Sequence, residues 1–271
     1  MLRELRRKYG YSPEVAVGIF LGSYASSVAG PAIAAYMLHR QVPDVRAAGM
    51  SLHAVPGGCF DLTTFHSGRV TMLAGDPKVG AATRPGRNDY ACRVTVFADG
   101  TVTDGDDVTV DTGTDPLIRI DSVKGAVDVV ADVGVLRRRL VSGLVDHMEP
   151  LVVALRARAR LGPPALWGAV ATQCGRAFLL TERMTGDPDI GRIEADAFFA
   201  LARPPMRARP TWFQFTHRGR RQTAMRRGSC CLIHRMSAQY CTTCPFIPDS
   251  ERERRLHEWV DTQGDGGLAV G

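Results

Sequence analysis

The sequence predicts an α+β protein: a helical body, a small antiparallel sheet and a short C-terminal segment built around clustered cysteines. Three observations carry that prediction. The apolar period turns from helical to alternating after Pro56-Gly57-Gly58 and returns to helical near Gly125. An uncharged stretch runs from residue 15 to 38, too long for a strand. Four cysteines, Cys230, Cys231, Cys241 and Cys244, fall within fifteen residues, while Cys59, Cys92 and Cys174 are scattered and read as ordinary buried thiols.

At the N-terminus a basic start, Arg3 to Lys8, precedes the uncharged stretch, an order that superficially suits a signal anchor. Gly18, Gly22, Ser23, Tyr24, Ser26, Ser27, Gly30 and Pro31 hold its hydrophobicity below that of a Leu-rich membrane span. One or two buried helices are therefore expected, with Ser12 as N-cap and Pro13 at the first helical position. Peripheral membrane association is compatible with this reading, a transmembrane helix is not expected, and the cytoplasm is the expected compartment. The odd cysteine count with clustered thiols also fits a reducing compartment.

The segments 69–74, 91–98 and 101–110 have strand composition, and Ala98-Asp99-Gly100 is a hairpin signal between the last two. Residues 75–88, rich in Gly, Pro and Arg, read as a long surface loop. Val129, Val130, Val133, Leu136, Leu140, Leu144 and Val145 then recur at helical spacing. Leu151, Val152 and Leu155, and after Pro163-Pro164 Leu166, Val170, Cys174 and Ala177, continue it. A helix over 193–202 stops before Pro204-Pro205. These elements define a body over residues 1–210, a cysteine segment over 211–261 and a glycine-rich tail over 262–271 that is expected to be disordered. With 271 residues, 45% of them hydrophobic, the chain can bury one large core.

Several signatures fail. Val108-Thr109-Val110-Asp111-Thr112-Gly113 resembles an aspartic-protease signature but lacks a partner carboxylate, so it reads as a turn. Gly75 and Gly80 have P-loop spacing, yet Ala81 and Ala82 stand where Lys and Ser or Thr are required. No strand-linked G-x-G-x-x-G is present, so a redox role here requires an external single-electron donor rather than a nicotinamide.

The cysteine segment holds an adjacent pair, nine intervening residues (232–240) and a C-x-x-C ending at Pro245. Four thiolates suit zinc or iron with sulfide, both tetrahedral and both preferring soft ligands. Structural zinc usually draws on two separated knuckles, and the first is missing here. Adjacent side chains on extended backbone point to opposite sides, so converging both on one small ion demands a local bend, whereas a two-iron cluster is a larger target. An iron–sulfur cluster, zinc and a disulfide pair all remain open on the residues alone.

The Cys-Cys pair, the intervening stretch, the C-x-x-C, the lead-in Arg226-Arg227-Gly228-Ser229 and the Cys244-Pro245 ending resemble the C-terminus of the FhuF-like ferric-siderophore reductases. The family's typical member has ten residues between the pair and the third cysteine, and this chain has nine. The run from His147-Met148-Glu149-Pro150 through Trp167-Gly168 is loosely similar to the family's helical body. The resemblance implies a [2Fe–2S] cluster on Cys230, Cys231, Cys241 and Cys244, a ferric siderophore as substrate and a ferredoxin- or flavoprotein-type donor. The expected activity is one-electron reduction of chelated Fe(III). Electron transfer to another oxidoreductase, or a zinc-stabilised basic binding module, are the alternatives, with nucleic acid not expected because no recognition helix is apparent.

Around the cysteines, His217-Arg218-Gly219-Arg220-Arg221 is a basic run that reads as a solvated face, a dock for an acidic donor or a cradle for an anionic chelate. Arg218, Arg220 and Arg221 are the candidate substrate-binding residues by their proximity in sequence. Trp212, Phe213 and Phe215 alternate as core or as the wall of a chelate pocket. His234 lies inside the cysteine segment and is expected to be a loop residue rather than a ligand. A helix opening at Asp249 or Ser250, with Glu251 paired to Arg255, is expected to pack over the cysteines as a lid.

Overall fold

A computed structural model describes residues 1–55, 59–66, 68–77, 92–97, 101–103, 109–111, 117–122, 127–237 and 239–263. The helices are α1 (Leu2–Tyr9), α2 (Pro13–His39), α3 (Val133–Arg156), α4 (Pro163–Thr185), α5 (Ile190–Leu201), the short α6 (His234–Ser237) and α7 (Asp249–Gln263). The strands are β1 (Gln41–Pro43), β2 (Met50–Val55), β3 (Cys59–Phe65), β4 (Val70–Leu73), β5 (Cys92–Phe97), β6 (Thr101–Thr103), β7 (Thr109–Asp111), β8 (Leu117–Ser122), β9 (Val127–Val130), β10 (Thr211–His217) and β11 (Arg220–Arg226). The protein is α+β.

The chain divides into two compact units, Met1–Ser26 with Met148–Gly271, and Ser27–His147. The division falls inside α2 and α3, so the boundary expected at residue 210 lies within the first unit.

In the second unit the described strands form several small sheets rather than one antiparallel sheet. A three-stranded sheet in the order β1-β4-β9 has its β4–β9 pair parallel, and β2–β3, β5–β8 and β6–β7 are antiparallel pairs. The partner of β5 is β8, with Cys92 opposite Ser122, and the partner of β6 is β7. Among the described residues, β5 and β6 of the hairpin expected between 91–98 and 101–110 therefore do not pair with each other; residues 98–100 themselves, like 78–88 of the expected loop and the Thr112-Gly113 turn, lie outside the described residues. Val129 and Val130 belong to β9, not to the helix. The helix begins after Asp132, whose carboxylate accepts the Val135 N–H at 2.9 Å. Buried His147 on α3 hydrogen-bonds the Val45 carbonyl through Nδ1.

The first unit carries the cysteine segment. Ser12 caps α2 as expected, its Oγ accepting the Val15 N–H at 3.3 Å. The uncharged stretch is one 27-residue helix that runs through Pro31, with Val15, Leu21, Val28, Ile33 and Tyr36 fully buried. By length and composition it is long and apolar enough to cross a membrane, a test that buried core helices also pass. Helix α3 likewise runs through Pro150, which costs it one i→i−4 hydrogen bond but not its continuity. Helices α4 and α5 meet at Phe178 and Phe198, whose ring centroids are 5.5 Å apart. The β10–β11 hairpin packs on α4 through Met225 and Leu179, and Trp212 donates its indole N–H to Asp196 on α5 at 2.8 Å. Phe215 is buried with half-buried Phe213 packed against it, and Trp212 is half-buried against Leu179 and Met225 on the opposite face, so these aromatics are core. On the hairpin's other side, Leu256 and Val260 of α7 pack against Phe215 and Ala224.

Candidate metal centre

Strand β11 delivers the chain to the cysteines, and two close approaches fix where it leaves the sheet. A side chain at Gly228 would collide with the carbonyls of Ala208 and Arg209, and one at Gly168 on α4 would collide with Ser229. The residue before Cys230 is thus pressed on the face of α4, and Ser229 Oγ donates to the Ala165 carbonyl at 3.4 Å.

The bend that two adjacent cysteines require is present. Leu232, directly after the pair, has φ +62°, a left-handed conformation that a bulky side chain rarely adopts and that costs on the order of 1 kcal/mol. Its N–H turns back to donate to Cys230 Sγ at 3.3 Å. His234 on α6 places Nδ1 3.6 Å from the same sulfur, and its ring lies 4.7 Å from that of Tyr240. It contacts a candidate ligand without being needed as one.

The C-x-x-C half is a tight turn, with the Cys244 N–H donating to the Cys241 carbonyl at 2.9 Å. Arg227 ties this turn to the end of the hairpin. Its backbone N–H donates to the Thr243 carbonyl at 2.9 Å and its Nε to Thr243 Oγ1 at 3.0 Å. The Thr243 hydroxyl in turn lies 3.7 Å from Cys241 Sγ, completing a chain from guanidinium to hydroxyl to sulfur.

All four cysteines are free thiols, Cys244 buried and the others half-buried. They interact as one set: Cys231 with Cys241, Cys230 with Cys244, and Cys244 also with Cys231 and Cys241. The Cys231 thiol donates to Cys241, which, with the positive charge of Arg227 and the Thr243 hydroxyl, brings Cys241 down to about 6. That same proton, together with burial, pushes Cys231 up. Burial raises Cys244. Cys174, fully buried on α4 and away from this network, is pushed up to about 12 by desolvation and behaves as a small apolar side chain.

An all-thiolate donor set of this kind selects zinc or iron–sulfur centres over hard cations. Among the described residues no three His, Cys, Asp or Glu side chains are placed to share a single metal ion. A group with two metal atoms is a larger target for four thiolates than one tetrahedral ion whose four sulfurs must meet at about 2.3 Å. Space beside the thiols is limited. A cleft of about 30 Å³, lined by Gly18, Gly22, Ala165, Arg227, Cys230 and Cys231, has room for little more than one water.

The basic run is elsewhere. Arg218 and Arg220 flank the turn of the hairpin, with Arg221 next to them, whereas the cysteines follow the opposite end of β11. Seven strand residues separate the two ends by about 20 Å. Arg218 pairs with Asp261 on α7 at 2.9 Å, and Arg221 pairs with Asp189. The structure gathers the four cysteines and does not bring these three arginines to them; Arg227 and Arg252 bind the C-x-x-C turn instead. Glu251 and Arg255 pair at 2.6 Å as the lid helix was expected to show, and Arg255 also donates to the Tyr240 carbonyl at 2.5 Å.

These features define a C-terminal thiolate centre whose donor set suits zinc or iron with sulfide. The family model described as FhuF 2Fe-2S C-terminal domain matches residues 227–246, the segment from Arg227 to just past Cys244, and supports an FhuF-like character for that segment. No curated protein and no solved structure matches the chain.

Proposed function

We propose that this chain is a ferric-siderophore reductase that adds one electron to chelated Fe(III) and so releases Fe(II). The observation that carries the reading is the gathering of Cys230, Cys231, Cys241 and Cys244 in a segment of the FhuF 2Fe–2S type. A [2Fe–2S] cluster on these four thiolates supplies one electron at a time. Arg227 and Thr243 favour the ligating thiolate at Cys241, and the burial of Cys244 keeps water from that side of the centre.

The substrate chemistry follows from ligand hardness. Siderophores hold Fe(III) through hard oxygen donors, and Fe(II), softer and less charged, is held far more weakly. Each tenfold preference of a chelator for Fe(III) lowers the chelate potential by about 59 mV for a one-electron couple. The 30 Å³ cleft beside Cys230 admits no chelate. Contact is therefore assigned to the exposed rim of the loop, where Met236, Tyr240 and Phe246 are 42%, 40% and 64% exposed. Arg218, Arg220 and Arg221 act at longer range, as part of a basic surface that attracts an anionic chelate or an acidic donor. A ferredoxin- or flavoprotein-type donor and a cytoplasmic setting belong to the same proposal.

The test is an anaerobic, stoichiometrically reduced full-length protein mixed with a ferric hydroxamate or ferric catecholate chelate and a ferrous-specific chromogenic chelator. One Fe(II) per stored electron supports the reading. Protein that stays reduced while no Fe(II) appears would move the function to electron transfer with another oxidoreductase.

A further inference from the structure

Arg252 heads the fully buried side chains by volume, and it stands where an apolar residue is expected. The inward positions of α7 recur every four residues as Arg252, Leu256 and Val260, and the last two pack on the hairpin. Arg252 points instead into the cysteine loop. Its Nη1 donates to the Thr242 carbonyl at 2.6 Å, and its Nη2 to the carbonyls of Cys244 and Ile247 at 3.0 and 3.2 Å. Two of those acceptors precede Pro245 and Pro248, so their peptide groups have no N–H and present only a carbonyl to be satisfied. Nε reaches Asp249 at 3.3 Å, but that carboxylate is 59% exposed and water screens it. The buried cation is therefore balanced mainly by the carbonyl dipoles of the loop.

The geometry points to Arg252 as the positioning residue of the C-x-x-C turn: its planar fork fixes the carbonyls of residues 242, 244 and 247 and sets a desolvated positive charge behind the thiolates. Lysine cannot reproduce the fork, because a point charge with three rotatable donors does not hold three carbonyls in fixed directions. Methionine fills the space but leaves the carbonyls without a buried donor. The positive charge favours whichever state of a bound centre is more negative, which is the reduced one, and so raises its potential. This second half rests on the cluster reading above; the first does not.

The experiment uses full-length wild type, R252K and R252M. In metal-free protein, alkylation of Cys244 by iodoacetamide is followed by mass spectrometry with Cys174 as internal standard. Both variants are expected to label Cys244 at least tenfold faster at unchanged helix content, and a wild-type rate in either would overturn the positioning role. In anaerobically loaded protein, R252M is expected to shift the reduced-to-oxidised ratio at least tenfold toward oxidised, 59 mV for one electron, with R252K closer to wild type. An unshifted midpoint in R252M would overturn the role of the charge. Should R252M fail to fold, the labelling rate and midpoint of R252K decide: labelling at the wild-type rate overturns the positioning role, and a midpoint as low as that of an uncharged site, tenfold toward oxidised, overturns the role of the charge. If wild type holds no iron and sulfide, the cluster reading fails while the labelling result stands by itself.

Discussion

In the cysteine loop, the arginines converge on buried partners; at the turn of the hairpin that precedes it, they pair near the surface. Arg227, Thr243 and Cys241 form one hydrogen-bonded chain, and Arg252 gathers three carbonyls of the same turn. The arginines of the hairpin turn face outward, and Arg218 and Arg221 are spent on ion pairs with Asp261 and Asp189. Density of charge in the sequence therefore does not locate the site. What locates it is a set of groups whose partners are buried, because only there does a lost partner leave a desolvated charge or carbonyl behind.

The comparison breaks most readily at the sulfurs. Cys241→Ser and Cys244→Ser should each lower iron and sulfide per chain at least tenfold, read by metal and sulfide analysis. Cys174→Ser should keep both, at a stability loss of about 1–3 kcal/mol from burying a hydroxyl, read by denaturant unfolding. Equal behaviour of the two classes would mean that the convergence of the four thiols has no functional meaning.

A smaller but still large effect is expected where the loop touches α4. Gly168→Leu should force Ser229 off the helix face and displace Cys230 with it, so that metal loading falls several-fold while helix content is kept. Full loading would show that the loop tolerates displacement and needs no fixed seat.

Arg227→Met should act more locally. The value of about 6 at Cys241, depressed first by the hydrogen bond from Cys231 and then by Arg227, means that its thiolate dominates at pH 7, and removing the guanidinium takes away part of that depression. Alkylation of Cys241 in metal-free protein at pH 7 should slow a few-fold and recover as the pH is raised toward 9. A rate unchanged at both pH values would detach Arg227 from the thiols.

The smallest effects belong to the hairpin. Arg218→Ala and Arg221→Ala each remove an exposed ion pair worth about 0–1 kcal/mol, so melting and metal loading should barely move. Ferric-chelate reduction should change by less than about threefold, and only at low salt, where long-range attraction counts. A tenfold loss from either variant would return these arginines to the site.

Much of this arrangement is readable from residues. Ser12 and Pro13 mark the start of α2 by cap chemistry, the glycines and serines of the uncharged stretch fit a buried helix, and the cysteine spacing marks the loop. The need for a bend at the vicinal pair is also readable, and Leu232 supplies it. Local rules fail where tertiary partners decide. Nothing within the segments 91–98 and 101–110 says that β5 pairs with β8, because the Asp-Gly signal is local and the ladder is not. Pro150 and Pro31 look like breaks, yet packing carries both helices through them. Proximity in sequence misplaces Arg218, Arg220 and Arg221, because an antiparallel hairpin sends its turn about 20 Å away from its ends. Arg252 carries a signal in the sequence: a lone arginine in the apolar stripe of α7, following two X-Pro carbonyls that need a donor.

The central claim is that four cysteines hold a two-iron, two-sulfide centre, and stoichiometry tests it most directly. Anaerobically purified full-length protein should be red-brown, contain two irons and two sulfides per chain, bleach with dithionite and regain its colour with a ferric siderophore. A colourless protein with one zinc and no sulfide per chain would contradict the account.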